Sequence, residues 1–159
     1  MEAKIAAVAV NDERVKLLIT MPGLGYFSAS LLIAEICDIK RFSSDKKLVS
    51  LAGLAPGIHQ SGEKSDGGRI TKQGNKLVRW VLVEAAKNAC RYDDGFNEFY
   101  ERYSRRKNGK KTVVAVAYEM LLIVWFMLRR NEAYRGGGSG LSERKLTRLE
   151  RDGRVGLQV

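Results

Sequence analysis

The chain has 159 residues, 45% of them hydrophobic and 29% charged, with 28 Lys+Arg against 18 Asp+Glu and a net charge of +10. That balance excludes a disordered chain and an acidic calcium buffer, and it points to a polyanionic partner, nucleic acid first. Residues 57–111 carry net +6, against +1 before them and +3 after, so a mechanism is to be sought in the middle third.

In chain order, residues 3–10 are apolar and alanine-rich and read as the end of a helix. Asp12 caps a second helix through Val15, Leu17, Leu18 and Ile19. Met21-Pro22-Gly23-Leu24-Gly25 stops it, and a third helix follows over residues 27–37. A short helix over residues 45–51 is expected to be capped by Ser43 or Ser44. Residues 57–74 hold five glycines and two serines without an apolar period, which predicts a loop or a loose hairpin.

The helical period returns from Asn75 with Leu77, Val78, Val81, Leu82, Ala85, Ala86 and Ala89. A further helix over residues 95–106, started by Asp93-Asp94, carries Phe96, Phe99, Tyr100 and Tyr103 on one face. A basic turn over residues 105–111 is read as solvated. It leads into the most apolar run, residues 112–128. That run is interrupted by Glu119 and reads as a buried core helix, not a membrane span. Trp80 and Trp125 are expected in the core. After Tyr134 a glycine-rich linker opens a polar tail that reads as flexible or as a frayed helix. The fold class is mostly α, with a helix-hairpin-helix near the start and a central glycine-rich basic loop.

Cys37 and Cys90 form no Cys-x-x-Cys pair and His59 is the only histidine, so no metal site is predicted. Both thiols are expected to be buried and free. No signal peptide is visible, and a cytoplasmic, membrane-free protein is expected.

Two constellations carry chemistry. In the first, Gly23 and Gly25 shape a tight turn before a helix, where backbone N–H groups and the helix dipole suit a phosphate without reading base sequence. A plain packing hairpin is the alternative. In the second, Ser61 is followed by Arg69, Lys72, Asn75, Lys76 and Arg79. A serine attacking a phosphodiester among cations is chemically reasonable there, since they stabilise the developing charge. An ordinary loop serine beside a solvated basic face is the alternative.

The order and spacing of several motifs resembles a known family. These are Met21-Pro22-Gly23-Leu24-Gly25, Ile33-Ala34-Glu35-Ile36 with Asp38, Arg41-Phe42, Leu51-Ala52-Gly53-Leu54-Ala55-Pro56, Gln60-Ser61-Gly62, Gly68-Arg69-Ile70-Thr71-Lys72-Gln73-Gly74-Asn75, Val78-Arg79 and Leu82-Val83-Glu84-Ala85-Ala86. Together they are similar to the C-terminal domain of insertion-sequence 110-type (116/110/902) transposases over residues 15–134.

The resemblance implies a two-part DNA recombinase of prokaryotes. An N-terminal RuvC-like domain would supply a DEDD carboxylate set for Mg2+, and the helical C-terminal domain a serine nucleophile. Carried onto this chain, Ser61 would attack the scissile phosphate, while Arg69, Lys72 and Arg79 would grip the backbone. DNA, an element-encoded guide RNA and further copies of the protein are the implied partners. No cofactor is expected in this chain, and Mg2+ belongs to the RuvC-like part.

Three segments are expected: residues 1–11 as the end of a helix linking to the RuvC-like domain, 12–134 as the transposase domain, and 135–159 as a flexible basic tail. The RuvC-like domain is not expected within these residues, so the chain reads as a C-terminal fragment, a truncated reading frame or a decayed copy, inactive alone. A non-catalytic helix-hairpin-helix DNA-binding module is the competing reading, and an assembly piece the third.

Overall fold

A computed structural model describes residues 2–55, 70–106, 108–136 and 139–157. Among these residues the protein is helical, as the sequence predicts. The helices are α1 (Glu2–Ala9), α2 (Glu13–Ile19), α3 (Tyr26–Ile36), α4 (Asp45–Ala52), α5 (Lys76–Tyr92), α6 (Asp94–Ser104), α7 (Gly109–Arg130) and α8 (Ser139–Leu157), with a 3-10 turn at Ile39–Arg41.

The starts are set by capping side chains. The Asp12 carboxylate accepts from the Arg14 N–H at 2.9 Å, and the Asn75 side chain from the N–H groups of Leu77 and Val78 at 2.9 and 3.1 Å. Asp93 accepts from Phe96 at 2.9 Å, and Asn108 from Lys111 at 3.0 Å, which starts α7 three residues before Thr112. Ser44 occupies the N-cap position of α4, but its side chain makes no capping bond. Asn131 and Gly53 take left-handed conformations that end α7 and α4.

The core is built around α7, which packs against α2, α4, α5 and α6. Val116, Ala117, Met120, Leu121 and Val124 are each 0% exposed. By length and composition α7 is apolar enough to cross a membrane; here it is the central packing helix. Opposite it, α5 presents Val78, Leu82, Ala85, Ala86 and Ala89. Its alanines let α3 and α7 approach closely.

The expected aromatic stripe of α6 is only partly core. Phe96 is buried, while Phe99 and Tyr103 stack at 4.5 Å on the half-buried side. Two placements differ from expectation. Cys37 is exposed, at the end of α3 with φ of 56°, and Cys90 is half-buried. Trp80 and Leu77, read as core residues, lie on the outer face of α5.

Residues 135–159 were expected as a flexible tail or a frayed helix; of these, 139–157 form α8, which lies along α1. Leu149 is wholly buried, and Ala6 and Ala9 face the contact. Gly153 lets the two backbones close, since a Cβ there would sit 3.2 Å from the Ala6 carbonyl oxygen. Leu146, Leu149 and Gly153 share one helical face within an otherwise charged segment, which is why overall polarity concealed a packing helix.

Candidate nucleic-acid interface

The basic segment is anchored where α4 ends and α5 begins. The chain leaves the described structure at Ala55 and returns at Ile70. The returning segment is held against the end of α4 by three backbone bonds. Thr71 N–H donates to Ala55 O at 3.0 Å, Lys72 N–H to Gly53 O at 3.1 Å, and Asn75 N–H to Leu51 O at 2.6 Å.

The crossing needs a glycine at position 74: a Cβ there would lie 2.4 Å from the Gly53 nitrogen and 2.6 Å from the Leu51 oxygen. Among the described residues the crossing contains no strand element, only an isolated bridge residue at Ile70; the loose pair considered around the loop falls on residues outside the described ones.

The predicted site residues divide into two groups. Asn75 spends its side-chain oxygen on the cap of α5. Arg79 reaches back, its Nη1 donating to Ala52 O at 2.9 Å and more weakly to Lys72 O at 3.5 Å. It satisfies a carbonyl that the end of α4 leaves open, so its first role is to tie the crossing together. Lys72 and Lys76 are exposed. The Lys72 backbone has φ of 53°. Ser61 and Arg69 lie outside the described residues, in the segment joined to the fold at Ala55 and Ile70.

The first glycine motif meets a different environment. Gly23 takes φ of 84°, and a Cβ there would lie 2.1 Å from the Ala85 carbonyl oxygen of α5. Its lack of a side chain therefore serves helix packing. Gly25 is exposed, with nothing within 4 Å of a would-be Cβ, and it stands at the N-cap of α3 without a side-chain cap. The two glycines thus do not act together. The structure has α2 and α3 joined by a tight turn, with Gly25 on its open side.

The other side of that turn is covered by α8. Lys145 Nζ donates to the Met21 and Ile19 carbonyl oxygens at 2.7 and 3.1 Å, and the Ser142 hydroxyl to Thr20 O at 3.3 Å. Tyr26 donates its hydroxyl to Asp152 at 3.4 Å. Burial lowers the Lys145 ammonium to about 8. Tyr134, whose N–H donates to the Thr20 hydroxyl at 2.9 Å, is pushed up to about 12 by burial and the Asp93 carboxylate.

Sequence reasoning missed Lys145 because the feature it serves, the open carbonyls at the end of α2, lies more than a hundred residues away. It missed the exposure of Trp80 because a tryptophan inside a helical period looks like core. The signal available was the register: Leu77 and Trp80 sit beside Lys76 on α5, off the stripe formed by Val78, Val81 and Leu82.

Among the described residues no three His, Cys, Asp or Glu side chains converge as metal ligands. Among the described residues there is thus no donor set for the Mg2+ that the resemblance assigns to the RuvC-like part.

Comparison with known proteins bears on all of this. The sequence model of the Transposase IS116/IS110/IS902 family matches residues 15–101, from α2 through most of α6 and including the crossing. The transposase for insertion sequence element IS1111A of Coxiella burnetii is 31% identical over 140 residues, 86% of this chain and 38% of that protein. A probable family 20 transposase of Pseudomonas aeruginosa is 28% identical over 141 residues, 86% of this chain and 42% of that one. A pilin gene-inverting protein of Moraxella bovis is 33% identical over 127 residues, 77% of this chain and 39% of that one. The chain spans about two fifths of the length of these relatives. With more than half of its residues matched by the family's model, the chain belongs to the Transposase IS116/IS110/IS902 family.

Proposed function

We propose that the chain is the phosphate-engaging part of a DNA transposase, with Ser61 as nucleophile and with a RuvC-like part as its working partner. The observation that carries this reading is the crossing. The segment bearing Gln60-Ser61-Gly62 is joined to the fold at two ends held together by backbone bonds, beside the exposed Lys72 and Lys76. The relatives' printed names, transposases of insertion elements and a pilin gene-inverting protein, agree with rearrangement of DNA.

In the proposed step the serine oxygen forms a bond to phosphorus while a strand P–O bond breaks. The serine loses a proton and the leaving hydroxyl gains one, so the phosphodiester is exchanged for a phosphoserine ester without net hydrolysis. Lysine ammonium groups near the phosphate favour the charge that develops on its oxygens. Arg69 would add to them, and Arg79 would hold the platform on which they stand. No step is routed through a metal, and Mg2+ chemistry is assigned to the RuvC-like part. An element-encoded guide RNA and assembly of several copies belong to the same reading and rest on the family resemblance.

The test joins this chain to the remaining part of one of its relatives and supplies a plasmid bearing the element's ends. A covalent protein–DNA adduct is expected, lost in Ser61→Ala while DNA binding persists. Recombination by Ser61→Ala at the normal rate overturns the reading. The non-catalytic binding module is favoured by one observation: Asn75 and Arg79 are committed to the fold. It predicts binding with no adduct in either protein.

A further inference from the structure

The outer face of α5 carries a feature that the phosphate reading does not use. Trp80 is 56% exposed and Leu77 47% exposed, although both belong to the helix with the deepest apolar stripe in the middle third. Lys76 lies one turn before Trp80, at i and i+4, so the two residues share one exposed face of α5. Lys72 stands in the crossing that leads into the same helix end. The next acidic group on this face, Glu84, is paired with Lys87 at 2.6 Å, and Lys87 and Arg91 are themselves exposed. The face is therefore an aromatic ring set in a positive line, beside the end from which the Ser61 segment departs.

We propose that Trp80 is a stacking platform for an unpaired base of the DNA strand, with Lys72 and Lys76 holding the phosphates beside it. This rests on the reading of the chain as a DNA transposase. Bases in a duplex have their π faces covered by their neighbours, so an aromatic side chain on a convex helix reaches one only where the strand is opened. A platform at this end of α5 would hold such an opened strand close to the Ser61 segment. Charge complementarity favours this occupant over a protein. A second copy docked two-fold would bring Lys76 against Lys76, and two apolar side chains fall far below the roughly 800 Å2 per partner of a stable interface.

The test uses the full chain and three probes of one sequence: single-stranded DNA, the corresponding duplex, and single-stranded RNA. Binding is read by anisotropy and by tryptophan emission. Single-stranded DNA is expected to quench the emission and to bind Trp80→Ala about 5- to 100-fold more weakly than wild type. Trp80→Phe should retain most of the affinity, and duplex binding should change less than twofold. Trp80 is half out of the fold, so melting of Trp80→Ala at the wild-type temperature verifies that the loss is not one of folding.

Three results overturn the proposal. They are unchanged single-strand affinity in Trp80→Ala, tighter Trp80-dependent binding of RNA than of DNA, and a concentration-dependent dimer that Trp80→Ala dissolves. In each of these the DNA reading still stands if wild type binds DNA in a salt-dependent way. If wild type binds neither DNA probe, the transposase reading falls with it.

Discussion

Two glycine-bearing turns in this molecule look alike in sequence and end differently. The turn between α2 and α3 and the crossing between α4 and α5 each precede a helix N-terminus, and each is an anion site by local rules. In the first, Gly23 is spent on contact with Ala85, and the carbonyl ends are covered by Lys145 and Ser142 of α8. In the second, Gly74 and Arg79 lock the backbone, and Lys72 and Lys76 are left outside. Glycines before a helix permit an approach; what approaches, a neighbouring helix or a ligand, is decided by the rest of the fold.

The comparison is open to direct attack. The largest effect is expected at Gly23→Ala, which combines a positive φ with a clash against the α5 backbone and should lower stability by roughly 3 kcal/mol or more. Gly25→Ala should change it by less than about 1 kcal/mol, since the poorer N-cap is offset by the lower entropy of the unfolded chain. Urea unfolding of the pair checks this, and equal effects would remove the distinction between the two glycines.

Next, Leu149→Ala should cost about 2–5 kcal/mol, because the side chain is wholly buried between α8 and the body. A loss below about 1 kcal/mol would mean that α8 is not part of the stable fold.

In the crossing, Arg79→Met should cost about 1–3 kcal/mol by leaving the Ala52 carbonyl without its donor. Lys72→Gln and Lys76→Gln should leave stability within about 0.5 kcal/mol. Each should instead flatten the slope of log affinity for DNA against log salt by about 0.9 if it meets a phosphate. Salt titrations separate the two kinds of cation.

The smallest effect concerns pH. The Lys145 ammonium has a folded value near 8, below its ordinary 10.5. Between those values the unfolded chain binds more protons, so this group's contribution to stability rises as pH climbs from about 8 to 10.5. After allowance for partial exposure the rise is about 1–2 kcal/mol. The stability difference between wild type and Lys145→Met, measured at pH 7.5 and 10, should grow with pH. A difference that does not change shows that the ammonium is solvated, with α8 lying looser on the turn.

Much of the fold was legible before any coordinates. The caps Asp12 and Asp93 sit where they were expected because a short acceptor before an apolar period has one local use, whereas Asn75, read as a phosphate-site residue, spends its side chain on a cap. The stripe of α5 and the apolar run of α7 were also legible, since a 3.6-residue period needs only a partner surface, not a particular one. Ser44 was misjudged, since a serine at an N-cap position still has a choice of rotamer. Cys37 was misjudged because the residue that closes α3 turns outward.

The sequence by itself determined the helical class, the position of most helix starts, the concentration of positive charge around residues 57–111 and the family motif order. These depend on neighbours a few residues apart. Tertiary structure decided which cations are outside, Lys72 and Lys76, and which one is a brace, Arg79. It also decided that residues 139–157 close the α2–α3 turn, and that Trp80 faces solvent. The physical reason is the same each time: a long side chain or an amphipathic helix has several acceptable fates locally, and only the surfaces brought to it from distant sequence select one.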